Sequence, residues 1–240
     1  MMKVYIITGA SKGIGNSLAS ILEAEGHKVL RVARTNPAGF SNLMTMDITA
    51  PEATLRIMEW LTPLLPLASE VTLINNAGVI EPIQKIGALN TNAIHKAIAI
   101  NVTAPIELSN AFVALTQSLP ITKRIINISS GAGRHVYEGW SIYCTTKAAI
   151  DHFSRALYLE QQSMEYPIAV TALAPGVIDT DMQKEIRGSE QSAFPSVARF
   201  IEMKESGTLL TPHECAEKII AYIQRPTMLS DDPITDIRDM

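Results

Sequence analysis

Three side chains near the middle of the sequence are suited to moving a proton: Ser130, Tyr143 and Lys147. A phenol is a poor acid at neutral pH because its pKa is about 10. Tyr143 and Lys147 are four residues apart, so on a helix they share one face, and the ammonium is expected to lower the pKa of the phenol. Tyr143 would then exchange a proton with a group that the Ser130 hydroxyl holds. This set suits reduction of a carbonyl or oxidation of an alcohol.

The tyrosine-lysine spacing is weak evidence alone, because a solvated lysine near a half-buried tyrosine is common on helix surfaces. The N-terminus adds a second pattern. Residues 3–8 form a β-branched apolar run that predicts a buried strand, and helical periodicity begins at Ile14. Between them, Gly9 would permit a tight turn, Gly13 would admit a pyrophosphate, and Gly15 would allow close packing of helix and strand. The alternative is an ordinary glycine-rich loop.

The motifs of this chain, in their order and spacing, resemble those of the short-chain dehydrogenase/reductase family. They are Thr8-Gly9-Ala10-Ser11-Lys12-Gly13-Ile14-Gly15, Asn75-Asn76-Ala77-Gly78, Asn101, Ser130, Tyr143-x3-Lys147 and Pro175-Gly176. The resemblance runs from residue 1 to about residue 180. Segments 129–133, 139–148 and 174–183 are more closely similar to the sepiapterin reductase and benzil reductase group.

This resemblance implies roles for single residues, beginning with a catalytic set of Asn101, Ser130, Tyr143 and Lys147. Asn101 would support a water relay to the lysine, although by itself it is only a helix asparagine. Ser130 is preferred to Ser129 because it precedes Tyr143 by 13 residues, the usual family gap. Neighbouring side chains of a strand also face opposite ways. Lys147 would in addition bind the nicotinamide ribose.

The resemblance also implies a set of nucleotide contacts. The set is Gly9, Ser11, Lys12, Gly13, Ile14, Gly15, Arg34, Asp47, Asn75, Ala77, Gly78, Tyr143, Lys147, Pro175, Gly176, Val177 and Thr180. Thr180 would contact the carboxamide and Asp47 the adenine side. Asp47 could instead cap the helix that follows it.

The basic residues after the first helix indicate NADP(H) rather than NAD(H). An NAD site usually has an acid about 20 residues past the glycines, but the segment 28–46 contains Arg31 and Arg34 and no Asp or Glu. Arg34 falls at a strand end, where a guanidinium could bind a 2′-phosphate with two donors. Lys12 adds a second positive charge. Both could otherwise be solvated surface charges.

The substrate side is less well encoded. By motif position Trp140, Met182 and Gln183 should lie near it. Trp140 could stack on a flat ring or simply pack in the core. Residues 183–207 are predicted to form a mobile substrate lid. Asp236 resembles the pterin-gripping aspartate of sepiapterin reductases, and by the same resemblance benzil reductases share it; it could equally pair with Arg238.

These residues predict an NADPH-dependent carbonyl reductase that acts on a vicinal dicarbonyl or a related aromatic ketone. Reduction of sepiapterin-like pterins is the alternative. A 3-oxoacyl carrier reductase is less favoured, because a net charge of -4 does not suit an acidic carrier protein. A non-catalytic NADPH-sensing binding protein is a further alternative, but such proteins tend to lose the tyrosine or the lysine.

Alternating strands and helices predict a single α/β domain, a doubly wound parallel sheet of the Rossmann type with helices on both faces. The predicted strands are Lys28–Ala33, Leu43–Met46, Val71–Asn75, Ile125–Ser129 and Ile168–Leu173, besides the first. The predicted helices are Glu52–Leu61, Asn90–Leu119 interrupted at Pro105, Ser141–Gln162 and one that begins with a capping box at Thr211.

Composition excludes several classes of protein. A pI near 5.8 gives no basic surface for nucleic acid. Cys144 and Cys215 are the only cysteines and lack metal-ligand spacing, which suits a reduced, cytoplasmic protein without a metal site. No signal peptide and no run near the ~18 apolar residues of a membrane span is evident. By resemblance, the helices at 90–119 and 141–162 form a homodimer interface, with a tetramer left open.

Overall fold

The computed structural model describes residues 2–225, 228 and 232–239, which form one sheet covered by helices on both faces. All neighbouring strands are parallel, in the order β3-β2-β1-β4-β5-β6-β7. The strands are β1 Met2–Thr8, β2 Lys28–Ala33, β3 Leu43–Thr45, β4 Ala68–Asn75, β5 Thr122–Ile128, β6 Ala169–Ala174 and β7 Ile234–Asp236. The predicted doubly wound parallel sheet in a single domain is confirmed.

Eight α-helices lie in the described part of the chain. They are α1 Gly13–Ala24, α2 Ala53–Leu61, α3 Thr91–Ile98, α4 Ala104–Thr116, α5 Ser141–Gln161, α6 Asp181–Arg187, α7 Val197–Glu205 and α8 Pro212–Ile223. Leu18 of α1 and Ile219 of α8 pack on one face of the sheet. Ile57 of α2, Phe112 of α4 and Leu157 of α5 pack on the other. Because both faces are buried, the strands are almost uniformly apolar.

Strands β4 and β5 begin three residues earlier than the sequence predicts. The prediction missed these first residues because most of them are polar and lie outside the apolar runs. The structure pairs the charged ones laterally across the sheet. Arg124 of β5 lies 2.7 Å from a carboxylate oxygen of Glu70 in β4, and the Tyr5 hydroxyl of β1 donates to Glu70 at 3.1 Å. Strand β7 was not predicted, since three residues are too few to show a period.

The segment from residue 91 to 116 stays helical through Pro105, contrary to the predicted interruption. A π-helical turn, Ala99–Thr103, separates α3 from α4, and Pro105 occupies the first turn of α4. Proline has no N–H, so the carbonyl of Asn101, four residues earlier, lacks its usual donor, and the wider turn accommodates the ring.

The same segment, Thr91–Thr116, has the length and apolar composition that could cross a membrane, which the sequence reading had not recognised. Core helices commonly have both properties. Leu108 and Phe112, at 1% and 0% exposure, lie in the core against the sheet. At the other end of the chain, the capping box predicted at Thr211 is confirmed by hydrogen bonds in both directions between Thr211 and Glu214.

Candidate active site

A cavity of about 710 Å³ opens at the C-terminal edge of the sheet, where the loops after β1, β4, β5 and β6 meet. This volume is typical of small-molecule sites. The predicted residues that line it are Gly9, Lys12, Gly13, Ile14, Arg34, Ala77, Gly78, Ser130, Trp140, Tyr143, Lys147, Pro175, Gly176, Val177, Thr180, Met182 and Gln183. Six predicted residues lie outside the lining: Ser11, Gly15, Asp47, Asn75, Asn101 and Asp236.

The glycine loop has a geometry that fits a pyrophosphate. Gly9 and Gly13 have positive φ angles of 68° and 58°, which favour glycine. A Cβ on Gly15 would lie 2.6 Å from the carbonyl oxygen of Gly9, so Gly15 serves close packing. Lys12 caps α1 without a side-chain hydrogen bond, which leaves the first N–H groups of the helix free for an anion.

The loops after β1 and β4 are joined by two residues that the sequence analysis did not single out. The Thr8 hydroxyl accepts hydrogen bonds from the backbone N–H groups of Asn76 and Ala77, both at 3.0 Å. The Asn76 amide donates to the carbonyl of Thr8 at 2.8 Å. The only signal for Asn76 in the sequence was its place in the Asn75-Asn76-Ala77-Gly78 motif. That place does not show that Asn75 and Asn76 have different hydrogen-bond partners.

Asn75 lies outside the cavity lining, and its predicted nucleotide contact stays a prediction. Its side chain turns away from the cavity, is 5% exposed, and donates to Asn127 at 2.8 Å and to Ser109 at 3.2 Å. It therefore links β4 to β5 and α4.

The two arginines at the end of β2 have different environments. Arg31 is fully buried and makes five side-chain hydrogen bonds, among them two to Glu23, one to Asn16 and one to the carbonyl of Ala10. Arg31 thus supports the glycine loop from the protein interior, through the carbonyl of Ala10. Arg34 lines the cavity at the end of the strand. Of the two, only Arg34 lines the cavity, and its contact with a 2′-phosphate stays a prediction.

Two other predicted nucleotide contacts have protein partners in the structure. Lys12 forms an exposed ion pair with Asp181 at 3.0 Å, across the cavity mouth between α1 and α6. Asp47 accepts hydrogen bonds from the backbone N–H and the hydroxyl of Thr49, so it caps a turn before α2. Those hydrogen bonds hold the pKa of Asp47 below its usual range. Its adenine-side role stays a prediction.

The three proton-handling side chains converge at the end of β5. Ser130 follows that strand, and its hydroxyl accepts from the backbone N–H of Ala132 at 3.1 Å. Tyr143 and Lys147 lie in the first turns of α5, with the Lys147 Nζ 5.7 Å from the centroid of the Tyr143 ring. Lys147 donates to the carbonyl of Ile128 at 2.8 Å. The residues reach one cavity from a strand end and a helix.

The pKa of Tyr143 is raised, contrary to the prediction that Lys147 lowers it. Burial raises the pKa of Tyr143 to about 12, while the neighbouring Ser130 hydroxyl opposes the rise. Burial also lowers the pKa of Lys147 to about 8, and the charge of Asp151 opposes that change. The loss of hydration of the phenolate raises the pKa by more than the hydrogen bond from Ser130 lowers it. Tyr143 is therefore a neutral phenol at pH 7.

Asn101 lies beside this group, in the π-helical turn, without lining the cavity. Its amide donates to the carbonyl of Val79 at 2.8 Å and to the Thr146 hydroxyl at 3.2 Å, and accepts from the Val79 N–H at 2.9 Å. It joins the loop after β4 to the helix that carries Tyr143 and Lys147. The predicted water relay stays a prediction.

A buried network behind Ser130 was missed by the sequence analysis. The Ser129 hydroxyl donates to Asp151, which is 2% exposed and also pairs with Arg134 at 3.2 Å. Arg134 donates in turn to the carbonyl of Thr235 at 3.1 Å. This network connects the serine loop, α5 and the C-terminal strand. Asp151 lies one helical turn after Lys147, but that spacing alone does not identify it.

Trp140 packs in the core, which was one of its two predicted roles. Its ring stacks on Phe194 with centroids 4.4 Å apart and an interplanar angle of 10°, and it is 4% exposed. Its edge lies against Tyr143, so it supports the tyrosine and is not an open stacking surface. Within the described part of the chain, Trp140 Nε1 and Gln183 Oε1 have no hydrogen-bond partner.

The predicted lid, residues 183–207, contains most of α6 and all of α7, and Gln183, Phe200 and Met203 from it line the cavity. Its mobility stays a prediction.

Asp236 lies outside the cavity lining, and its predicted substrate role stays a prediction. Both of its carboxylate oxygens accept from Arg238, at 2.8 and 2.6 Å. Arg238, not Asp236, lines the cavity. The pairing that was the alternative reading is the one observed.

The sequence matches the short chain dehydrogenase family over residues 3–191. The chain belongs to that family. It is 35% identical to a benzil reductase ((S)-benzoin forming) of Bacillus subtilis (strain 168), over 99% of each chain. It is 31% identical to a sepiapterin reductase of Meriones unguiculatus, over 95% of this chain and 93% of the relative. A solved short-chain dehydrogenase/reductase of Saccharomyces cerevisiae superposes with a TM-score of 0.82 at 25% identity, covering 99% and 96% of the two chains.

Membership of this family makes the protein an oxidoreductase that uses a nicotinamide nucleotide, and the predicted resemblance is confirmed. The cavity fits such a group on its own geometry, because the glycine loop, the free N–H groups of α1 and the proton-handling residues face one space. Among residues 2–225, 228 and 232–239, no group of three or more acidic, histidine or cysteine side chains could hold a metal ion.

Proposed function

We propose that this protein is an NADPH-dependent carbonyl reductase that acts on a vicinal dicarbonyl or an aromatic ketone of the benzil type. The observation that carries the proposal is the position of Tyr143 and Lys147, which face Ser130 in the cavity that also contains the glycine loop. A proton donor, an oxygen-binding hydroxyl and a nucleotide loop in one space are what carbonyl reduction requires.

The protonation states favour the reductive direction. The nicotinamide nucleotide, when bound, supplies the hydride. Tyr143, with a pKa of about 12, holds its proton at neutral pH and donates it to the carbonyl oxygen, while Ser130 binds and orients that oxygen. Lys147, with a pKa of about 8, is mostly charged at pH 7 and stabilises the phenolate that forms. Asn101, which joins the loop after β4 to α5, would support the water relay to Lys147.

The preference for NADPH rests on Arg34. It lines the cavity at the end of β2, and no acidic residue occurs between positions 28 and 46 to bind a ribose 2′-hydroxyl. A guanidinium provides paired donors for a phosphate. Lys12 can join it if its exposed pair with Asp181 opens, which costs little because exposed ion pairs are weak.

Arg34→Met should lower kcat/KM for NADPH about tenfold or more and leave kcat/KM for NADH nearly unchanged, because a hydrogen-bonded charge contributes about 1.5–3 kcal/mol. Arg56→Met, at an exposed position of α2, is the matched control. Coenzyme titrations at fixed substrate measure both constants. Equal or better use of NADH by the wild type would refute the preference.

The choice of substrate rests on the apolar wall of the cavity and on the relatives. Ile80, Tyr137 and Met182 line the cavity and pack in one apolar cluster with Tyr143, which suits a flat apolar ketone. The Bacillus subtilis relative is a benzil reductase. A pterin remains the second candidate because of the sepiapterin reductase relative, but the carboxylate predicted to grip it is occupied by Arg238.

A substrate panel tests this choice. NADPH oxidation followed at 340 nm with benzil, isatin, sepiapterin and a β-ketoacyl thioester should give the highest kcat/KM with one of the first two. Highest activity with sepiapterin would select the pterin alternative, and highest activity with the thioester would select a 3-oxoacyl carrier reductase. Nucleotide binding without turnover of any carbonyl would instead support an NADPH-sensing protein.

We further propose a cytoplasmic homodimer formed through α4 and α5. The proposal is supported by the resemblance to family members that dimerise through these helices and by exposed apolar side chains, such as Leu159 of α5 at 68% exposure. Light scattering at the assay concentration should give twice the chain mass; a monomer would contradict the proposal, and a tetramer would extend it.

A further inference from the structure

Arg238 faces the catalytic cavity from the segment after β7, in an orientation that Asp236 fixes. Its Nε and Nη2 donate to the two carboxylate oxygens at 2.8 and 2.6 Å, and its backbone N–H donates to Asp236 at 3.0 Å. Asp236 is 7% exposed, so the carboxylate is itself held in the fold. Paired donors on one carboxylate define the plane of a guanidinium. Arg238 is therefore a positioned side chain and not a mobile surface charge.

The guanidinium lies next to the serine loop. Arg238 Nη2 is 3.9 Å from the position that a Cβ would take on Gly131, the residue after Ser130. Its Cγ and Cδ lie 3.7 Å from the corresponding position on Gly176, in the loop after β6. The arginine thus lies between the serine loop and the loop after β6, within van der Waals distance of both.

Arg238 retains donors for a ligand. A guanidinium has five N–H donors, and the pair with Asp236 uses two of them. Nη1 has no hydrogen-bond partner in the part of the chain that the structure describes, and the side chain, which lines the cavity, is 62% exposed. Oxygen acceptors, and carboxylates above all, are the groups that these donors bind.

We infer that Arg238 binds the second oxygen of the substrate, the one on the carbon next to the carbon that is reduced. The inference rests on the proposed function, in which Ser130 and Tyr143 hold the reacting oxygen. A 1,2-dicarbonyl or 2-oxo acid carries another oxygen one carbon–carbon bond away, within reach of a guanidinium beside Gly131. A simple ketone has no such oxygen. Arg238 thus determines selectivity for the vicinal dioxygen group over the isolated ketone.

Matched substrates isolate this contact. Benzil and deoxybenzoin share a carbon skeleton and differ in the second oxygen, and benzoylformate and acetophenone differ in the carboxylate. We expect Arg238→Met to lower the ratio of kcat/KM for benzil over deoxybenzoin, or for benzoylformate over acetophenone, at least about tenfold, because a charged hydrogen bond is lost. Arg238→Lys should recover part of the ratio. A fall for benzil identifies a neutral carbonyl as the ligand, and a fall for benzoylformate identifies a carboxylate.

Arg199→Met is the matched control for charge, because Arg199 also lines the cavity, from α7, without an acidic partner in the described chain. Its ratios should stay within about twofold of the wild type. Unchanged ratios in Arg238→Met, in a protein that still binds NADPH, would overturn the inference alone. An equal fall in Arg199→Met would also overturn it, by assigning selectivity to general positive charge. No reduction of any of the four ketones by the wild type would overturn the proposed function itself.

Discussion

Replacing Lys147 by methionine should change how the stability of the protein depends on pH. Lys147 is 7% exposed, and burial lowers its pKa from 10.5 to about 8. Below pH 8 the folded and the unfolded chain both hold the proton, and the folded protein bears the full cost of a buried ammonium. Between pH 8 and 10.5 only the unfolded chain holds it, so the free energy of unfolding rises with pH across this window.

The size of the effect follows from the two pKa values. At 1.36 kcal/mol per unit, the shift corresponds to a cost of about 3 kcal/mol at neutral pH. Most of that cost, about 2–3 kcal/mol, disappears between pH 7 and pH 10. The methionine side chain carries no proton, so this contribution is absent from the variant. The hydrogen bond to the carbonyl of Ile128 is also lost, but that offset is the same at both pH values.

Urea unfolding of the wild type and Lys147→Met at pH 7 and pH 10, at equal protein concentration, measures the difference. The wild type should gain about 2–3 kcal/mol relative to the variant as the pH rises, because groups common to both proteins cancel. Lys218→Met, at an exposed position of α8, should parallel the wild type. Parallel behaviour of Lys147→Met would show that Lys147 is not a buried cation, and the account of its charge in the site would fail.

Three further substitutions test the site and its supports. Tyr143→Phe should lower kcat by about 100-fold or more with little change in the NADPH dissociation constant, since general acid catalysis contributes about 10²–10⁴-fold; near-normal turnover would remove Tyr143 from the chemistry. Arg31→Met should cost about 3 kcal/mol, because it breaks a buried ion pair, and should lower the melting temperature by roughly 6–12 °C in calorimetry; an unchanged melting temperature would contradict its structural role. Gly133→Ala places a Cβ 2.9 Å from the carbonyl carbon of Lys147, so kcat should fall while the protein stays folded; full activity would show that the loop relaxes freely.

Features that depend on neighbours in the chain could be predicted from the sequence. The glycines at 9, 13 and 15, the four-residue spacing of Tyr143 and Lys147, and the cap at Thr211 are local, because turn geometry, helical period and end capping involve residues within a few positions. The buried strands were also predictable, since both faces of a parallel sheet are covered and the strands are almost continuously apolar. Strand starts were less predictable where charged residues such as Glu70 and Arg124 pair across the sheet.

Partners that lie far apart in the chain were decided by tertiary structure. Asn75 and Asn76 are adjacent in a single motif, yet one faces the interior and the other the cavity, because successive side chains at a strand end point to opposite sides. The sign of the Tyr143 pKa shift likewise depends on how much water the fold removes, which helical spacing with Lys147 does not describe.

The sequence by itself determined the fold and the family and predicted the residues that would handle the proton, because those follow from local patterns and their order. Only the tertiary structure decided which charged side chains stabilise the fold and which line the cavity. Arg31 is buried behind the glycine loop whereas Arg34 faces the cavity, and Arg238 occupies the carboxylate of Asp236 and faces the cavity in its place. Burial and long-range pairing create these differences, and neither is a property of residue type or spacing.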